Sequence, residues 1–595
     1  MRTKFVALFL LLILFGSTHA DNRKTSRVDK TNYGMPNENN KNVIFPVYGN
    51  VMNAPLGGQF VSGDAIVGPE IFTTITGWYD YMTNGDCRHY IQVDKTNPLL
   101  ISVIYTVSDS TDPGGASSRR TKYATSTDGG ATWSDNGVVP SDVRTGFGYM
   151  ILKPTGEAVI GMHAGSPVNT QIHIDVAPQA ATWQSYNANL PARIWPQVSI
   201  MTNGNMLIVA NQNTTSAPDS LVYGIFNGTS ISPWSPVVAY TPVSNQRWGS
   251  AAGANGNAII ITNPVSLTDT LNSNFVYNYI TTNNGSTWSS ANKIWRPFVQ
   301  GTDTITAFFG QDVIYKPGTT NWYYAVNAIG STFRSCRLYM IRSSSLTPVV
   351  IADSNNVPVM TSITDGKSIA GVTGIDHPSL GWSEDGNVLY CAYSVSVQDT
   401  GARGWNTRDI FYQYSTNDGS SWSAPVRITN TPTIDEGYVS ISQWNKGTSA
   451  ATYELNIQYM KDPGDGPTAF NGTNPTAPAT RNQQIYRKVT QAGPDPIGIH
   501  NISGEVPAKF SLEQNYPNPF NPVTKIRFAV SKSANVTLEV FDVTGKLVST
   551  LAKNEAVTAG VKEIEFNAVN LPSGVYFYSI KAGDFSETKK MILVK

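Results

Sequence analysis

The side chains best suited to chemistry in this sequence stand just ahead of a series of short apolar, alternating runs. Arg88, Arg144, Arg193 and Arg247 are guanidinium forks of the kind that clamp a ligand carboxylate. Asp376 with His377, and Asp435 with Glu436, occupy the same kind of position, as does Asp312. Trp195 and Trp248 lie beside two of these positions and offer flat faces that can carry a sugar ring. Other chemistries find no support. His163 and His173 make no metal-ligand pair by spacing, and no Gly-x-Ser-x-Gly elbow, phosphate loop or Cys/His nucleophile pair occurs. Asp462 to Gly466 lacks the regular oxygen spacing of a calcium loop. Neither a metal nor a cofactor is expected.

Composition narrows the partners. Only 14% of the 595 residues are charged, and Lys+Arg and Asp+Glu are equal at 42 each. A chain of zero formal net charge has no electrostatic footprint for nucleic acid or an anionic membrane. Cys87, Cys336 and Cys391 are odd in number and widely spaced, which fits neither a disulfide framework nor a zinc site. They read as small buried hydrophobes, one bridge plus a free thiol being the alternative.

The elements that must position these groups are strands. Residues 1–20 have the layout of a secretory signal peptide: a basic start, the apolar run Phe5 to Phe15, and small residues up to Ala20. No later segment has the uncharged apolar length of a membrane span. Residues 21–42 read as a polar flexible leader, 43–490 as one repeated β region, 491–507 as a Gly/Pro linker and 508–595 as a second β unit. Within 43–490, one turn recurs: Ser126 to Trp133, Thr281 to Trp288 and Ser415 to Trp422, with worn copies ending at Trp183 and Trp234. Trp133, Trp183, Trp234 and Trp288 recur about every 50 residues. Hairpins with Asn-Gly, Asp-Gly or Thr-Gly turns open the units near residues 88, 147, 197, 248, 311, 378 and 438. Seven openings, one period and one closing turn predict an all-β chain whose middle is a seven-bladed β-propeller. The strand text Ile71 to Asp80 can close the ring by joining the last blade, which removes free edges.

The recurring turn resembles the Asp-box of the sialidase/neuraminidase superfamily, also known as the BNR repeat. In it Asp128, Gly130 and Trp133 are matched by Asn283, Gly285 and Trp288, and by Asn417, Gly419 and Trp422. Its role is local. The Asp or Asn side chain accepts backbone N–H bonds and fixes the turn, and Gly takes angles that other residues resist. The resemblance implies a propeller with these boxes on its outer rim, six blades being the family's number and so the alternative here. Family sialidases use three Arg for the substrate carboxylate, a Tyr nucleophile paired with Glu, and an Asp acid/base. Their Arg-Ile-Pro segment has its nearest counterpart in Arg193 to Pro196, about 100 residues too late in the chain. Glu436 and Tyr438 are merely close in sequence, so no catalytic residue is carried over. Three expectations stand: a propeller that binds a glycan or protein through its tunnel-face loops, a sialidase-like exo-glycoside hydrolase, and a non-catalytic structural surface protein. The first is favoured, because the repeats persist and the catalytic pattern does not.

Phe510 to Thr524, with Asn515-Tyr516-Pro517-Asn518-Pro519-Phe520-Asn521-Pro522, is the most specific string in the chain. With the strand Val536 to Asp542, the turn Thr544-Gly545-Lys546 and the strand lead-in Leu571 to Tyr578, it resembles the type A sorting domain of the type IX secretion system. Read from residues, 508–595 is a small Ig-like β-sandwich. The resemblance implies that this unit meets the type IX machinery. Export would then run through the periplasm of a diderm bacterium to the outer surface or the medium.

Overall fold

The structure, a computed structural model, describes residues 66–594 apart from several loop segments, the longest being 359–373 and 465–479. The signal peptide and leader read at 1–42 lie outside the described residues, as do Cys87, Arg88 and most of the Pro/Gly stretch 462–482. Cys336 and Cys391 are free and buried.

The chain is all-β. Among the described residues from 66 to 491, seven mainly antiparallel sheets follow one another, each with four main strands, and Val243–Ser244 pairs with Val265–Ser266 in a small two-stranded sheet besides. We number these blades one to seven. Their innermost strands are Ile91–Val93, Thr145–Leu152, Arg193–Ile200, Trp248–Ala252, Asp303–Tyr315, Ile375–Ser383 and Asp435–Ile441. Burial is graded across a blade, which explains the text of each strand. Ile101–Val107, second in blade one, is buried on both faces and apolar nearly throughout, whereas the outermost Ser134–Val138 is polar and exposed.

The ring is closed by strand exchange between the two ends of this region. Blade seven consists of Asp435–Ile441, Tyr453–Asp462 and Asn482–Gln491, and its outer strand is Ile71–Gly77, paired antiparallel through Ile71 with Tyr486 and Gly77 with Asn482. Glu70 locks this seam: Lys461 Nζ lies 2.5 Å and Arg487 Nη2 3.6 Å from its carboxylate, and the Tyr459 hydroxyl donates to it at 2.9 Å.

Every junction between neighbouring blades carries a side chain–backbone hydrogen bond. Gln92 donates to Met150 O, Thr170 to Arg193 O, Gln197 to Trp248 O and Asn263 to Ala307 O. Asp312 accepts from Leu380 N, Ser379 from Ile441 N and Ser440 from Tyr90 N, which returns to blade one. Across the centre, His89 of blade one meets Asp312 of blade five at 3.1 Å. That contact joins blades that are not neighbours, so side chains fill the axis at this level.

The three recurring turns share one hydrogen-bond pattern. Asp128 accepts from Thr132 N, Asn283 from Thr287 N and Asn417 from Ser421 N, each at 2.9 Å. The first hydroxyl of each turn, Ser126, Thr281 or Ser415, accepts from the N–H of Gly130, Gly285 or Gly419. The Trp rings link blades: Trp133 packs on Tyr486 of blade seven at 5.3 Å and Trp288 on Tyr223 of blade three at 5.2 Å.

The C-terminal unit has two four-stranded sheets. One orders Ile499–Ser503, Gly560–Asn567, Val523–Val530 and Ser511–Leu512, and the other Leu547–Val557, Ala534–Asp542, Gly574–Ala582 and Phe585–Leu593. Strand Ala534–Asp542 alternates buried and half-buried residues, the mark of a sheet covered on one face. The shared core includes Phe528, Val536, Leu538, Val540, Ile564 and Tyr578. Strand Ile499–Ser503 falls inside the span read as a linker, because its pairing with Gly560–Asn567 is a long-range contact with no local signal.

Candidate functional site

Each innermost strand begins on the same side of its blade as the third strand, because alternate strands of an antiparallel sheet run the same way. The recurring turns follow the third strands and so lie at the opposite edge. On the leading side, five innermost strands slip register at a β-bulge: Gly146/Tyr149, Ile194/Gln197, Ala307/Gln311, Asp376/Ser379 and Gly437/Ser440. The bulge of blade five has Gly310 at positive φ, and the other four hold an aromatic or imidazole side chain there: Phe147 at 54°, Trp195 at 54°, His377 at 53° and Tyr438 at 54°. Bulky residues rarely take this conformation, and a protein that repeats it four times around one mouth holds a fixed constellation there.

Two clusters flank the ring seam. In the first, the buried guanidinium of Arg119 lies 4.7 Å from the Phe147 ring centroid and 5.5 Å from that of Tyr79. Its Nε donates to Thr145 O at 3.0 Å, Nη1 to the Tyr79 hydroxyl at 3.2 Å, and Nη2 to His163 Nε2 at 2.9 Å. An arginine only donates, so His163 Nε2 is the acceptor and this imidazole is neutral. Trp195 packs edge-on to Phe147 and His163. Arg144 stands next to this group, with Nε donating to Gly115 O at 2.5 Å. Burial first, and then the neighbouring Arg119 charge, push its pKa down to about 10, against the weaker pull of Tyr79 and Asp112.

In the second cluster, Arg408 is fully buried and forks onto Asp435: Nε at 2.9 Å from Oδ1 and Nη2 at 2.5 Å from Oδ2. Its guanidinium lies 4.7 Å from the Tyr438 centroid. Burial lowers its pKa, but the Asp435 carboxylate outweighs this and leaves it raised. His377 packs edge-on to Tyr438 at 5.0 Å. Burial, and then the Arg408 charge, push His377 down to about 3, so it is neutral. Asp376 accepts from the His377 N–H at 2.7 Å and from Asn327 Nδ2 at 3.2 Å. Burial raises the pKa of the Tyr438 phenol against the pull of Arg408, and Asp80, Asp435 and Tyr79 push the same way as burial.

Of the residues singled out in the sequence, the structure brings Arg144 and Trp195 into the first cluster, and Asp376, His377 and Asp435 into the second. The others separate. Trp248 is fully buried in the hydrophobic core and has no face for a ligand, because it begins an inner strand packed on both sides. Glu436 is also fully buried, against Lys461 at 3.8 Å. Arg193 is half-buried and Arg247 stacks over Phe308 at 4.8 Å. Arg88 lies outside the described residues. Arg119, His163, Arg408 and Phe147 were missed as site residues. A signal existed for two of them: Arg119 and Arg408 each stand seven residues before the first residue of a recurring turn, Ser126 and Ser415, which gives them one register on the third strand. Among the described residues no group of three His, Cys, Asp or Glu side chains is arranged to hold a metal ion, and no helix is long and apolar enough to cross a membrane.

Residues 514–595 match the family model of the secretion system C-terminal sorting domain. No curated protein matches the chain. Among solved structures, it is similar to an ulvan lyase of polysaccharide lyase family PL25, with 11% identity, 70% of this chain and 95% of that one covered, and a TM-score of 0.43. It is also similar to a Trypanosoma rangeli sialidase at 12% identity, 77% and 85% coverage and a TM-score of 0.32. A Penicillium chrysogenum alpha-L-arabinanase aligns at 12% identity, 57% and 91% coverage and a TM-score of 0.32. By its own ring of sheets the chain is a β-propeller protein, and it carries a C-terminal sorting domain of the type IX secretion system that marks it for export to the cell surface or beyond.

Proposed function

We propose that the propeller binds an acidic glycan at the mouth where its innermost strands begin, with Arg119 and Arg144 taking the anionic group. One observation carries this reading. Arg119 is buried, yet all its partners are neutral: a backbone carbonyl, a phenol and an imidazole. Among the described residues no carboxylate pairs with it. An uncompensated buried guanidinium is costly, and a second arginine beside it adds to the cost. An anion from the ligand removes that cost, and a planar carboxylate matches the guanidinium fork. The rings of Tyr79, Phe147 and Trp195 frame the position. The test is calorimetric titration of the mature chain with acidic polysaccharides and their carboxyl-reduced forms. The acidic forms should bind, and Arg119→Ala or Arg144→Ala should weaken binding about tenfold or more, as loss of a charged hydrogen bond does. Equal binding of acidic and reduced forms would remove the proposal.

The contact of Arg119 with both Tyr79 and His163 favours a second reading, in which the bound glycan is cleaved by β-elimination. The guanidinium would neutralise the uronate carboxylate, and the Tyr79 oxygen, as a phenolate held by Arg119, would take the proton from the carbon next to it. The C–O bond to the leaving sugar would break as the double bond forms, and Tyr79 would return the proton to that oxygen. Ultraviolet absorbance from an unsaturated uronate, lost in Tyr79→Phe or His163→Ala, is the measurement that decides it.

A further inference from the structure

We propose that the Tyr516 ring is the part of the sorting unit gripped by the type IX secretion machinery, in an apolar pocket that takes one aromatic side chain. This surface lies outside the propeller and is independent of the glycan reading.

The string from Glu513 to Phe520 forms a clasp along an open sheet edge. Strand Phe585–Leu593 is the last in its sheet, so its outward backbone groups have no neighbouring strand. The string supplies their partners. Gln514 Nε2 donates to Lys590 O at 2.8 Å, Ile592 N donates to Asn518 Oδ1 at 2.9 Å, and Phe520 N donates to Ile592 O at 2.9 Å. The Phe520 ring is buried in the core of the unit. An uncovered edge of this kind would invite pairing with another chain.

The backbone on either side of Tyr516 is fixed from within. Asn515 is buried, and its N–H donates to the Tyr578 oxygen at 2.8 Å. Its side-chain amide donates to Thr524 Oγ1 at 2.9 Å and to Pro517 O at 3.1 Å. Tyr516 and Lys525 exchange backbone hydrogen bonds at 2.9 and 3.0 Å. Gln514, Asn515, Asn518 and Phe520 therefore hold the unit together. The Tyr516 side chain is left over: it is 80% exposed, and Pro517 and Pro519 beside it are exposed too. Among the described residues Phe72, at 41%, is the only other exposed large aromatic.

A ring held in water adds nothing to the stability of the fold, but it favours association. Tyrosine is enriched among the side chains that carry interface energy, and a loop already fixed in place loses little freedom on binding. The occupant follows from the unit that presents the ring. Tyr516 lies within residues 514–595, the stretch that matches a secretion sorting domain, and such a unit has to be read by secretion machinery. A folded unit is read on its accessible surface, and Tyr516 is the most exposed large apolar side chain described there.

The experiment follows export of the full chain, with its leader, in a diderm bacterium that has the type IX system. The amounts in the periplasm and at the surface plus medium are compared with those in a strain lacking the translocon. Tyr516→Ala should lower the exported amount about tenfold or more and leave the chain in the periplasm, as loss of a central interface side chain does. Tyr516→Phe, which keeps the ring, should be exported nearly as the parent is. Val543→Ser removes another exposed apolar side chain of the same unit, 67% exposed, and should be exported like the parent. The purified mature Tyr516→Ala chain should melt at the parent's temperature. Export of Tyr516→Ala at the parent's level overturns the inference, as does an equal loss in Val543→Ser. A lowered melting temperature in Tyr516→Ala also overturns it, because the ring would then serve the fold.

Discussion

Arg408 lies so close to Gly437 that a Cβ on that glycine would stand 2.3 Å from the guanidinium carbon and 2.5 Å from Nη2. The glycine is there to admit the arginine. Gly437→Ala is expected to push Arg408 off Asp435 and to cost roughly 1–3 kcal/mol, the range for overpacking a tight site. A thermal melt of the variant against the parent checks this. The matching change, Gly146→Ala, moves Arg119 and should weaken acidic-polymer binding without removing any polar group.

The Arg408–Asp435 pair is buried on both sides. Asp435→Asn alone strands a buried guanidinium and should destabilise by about 3–5 kcal/mol. Replacing both, as Arg408→Met with Asp435→Leu, should recover most of that loss, since apolar side chains of similar size often replace a buried ion pair at little cost. Denaturant titration of Arg408→Met, Asp435→Leu and the double variant completes the cycle, with Asp435→Asn measured beside them.

Stability should fall as pH rises toward neutrality because of two acids in blade seven. Burial pushes Asp462 up to about 7 against its bonds from Thr480 and Gly464, and Asp80 and Asp435 push the same way. Burial likewise pushes Glu436 up to about 7 against Thr429, Thr431 and Lys461. Both groups hold their protons more tightly folded than unfolded. The stability they contribute is therefore fully present below their unfolded pKa of about 4 and is lost as pH rises through about 7. The melting temperature should drop over that window, and Asp462→Asn should flatten the profile.

The recurring turns make opposite predictions at adjacent positions. Thr132 and Ser126 hold Asp128 down at about 2, yet the charge is not what the turn needs, because Asn283 and Asn417 accept the same backbone bond at the same 2.9 Å. Asp128→Asn should leave the melting temperature unchanged. Gly130→Ala should lower it substantially, since φ is 91° and the new Cβ would fall 2.1 Å from Tyr486 Cε1. Melts of the two variants, compared directly, separate the two roles.

Much of the architecture was legible along the chain. Strand periodicity, hairpin turns and the Ser126, Thr281 and Ser415 turns announced repeated sheets, because these signals are local and each unit spells them out again. The string around Asn515 to Pro522 marked the sorting domain in the same way. The site was only half legible. Trp248 and Glu436 looked available in sequence and are core residues, because the two faces of an inner strand cannot be told apart when both are buried. Arg119 and Arg408 looked like ordinary polar strand ends. What gives them their roles is the next blade, whose bulge turns Phe147 or Tyr438 under the guanidinium and whose glycine leaves room for it.

The sequence by itself determined that the chain is a β-sheet repeat bearing an export tag, since strand propensity, turn chemistry and a linear motif are properties of neighbouring residues. Only the tertiary structure decided which arginine keeps its charge unmatched. That depends on whether a carboxylate from another blade reaches it, and Asp435 reaches Arg408 while no described carboxylate pairs with Arg119. Pairing across blades is fixed when the ring closes, and no stretch of sequence short enough to read as a motif contains both partners.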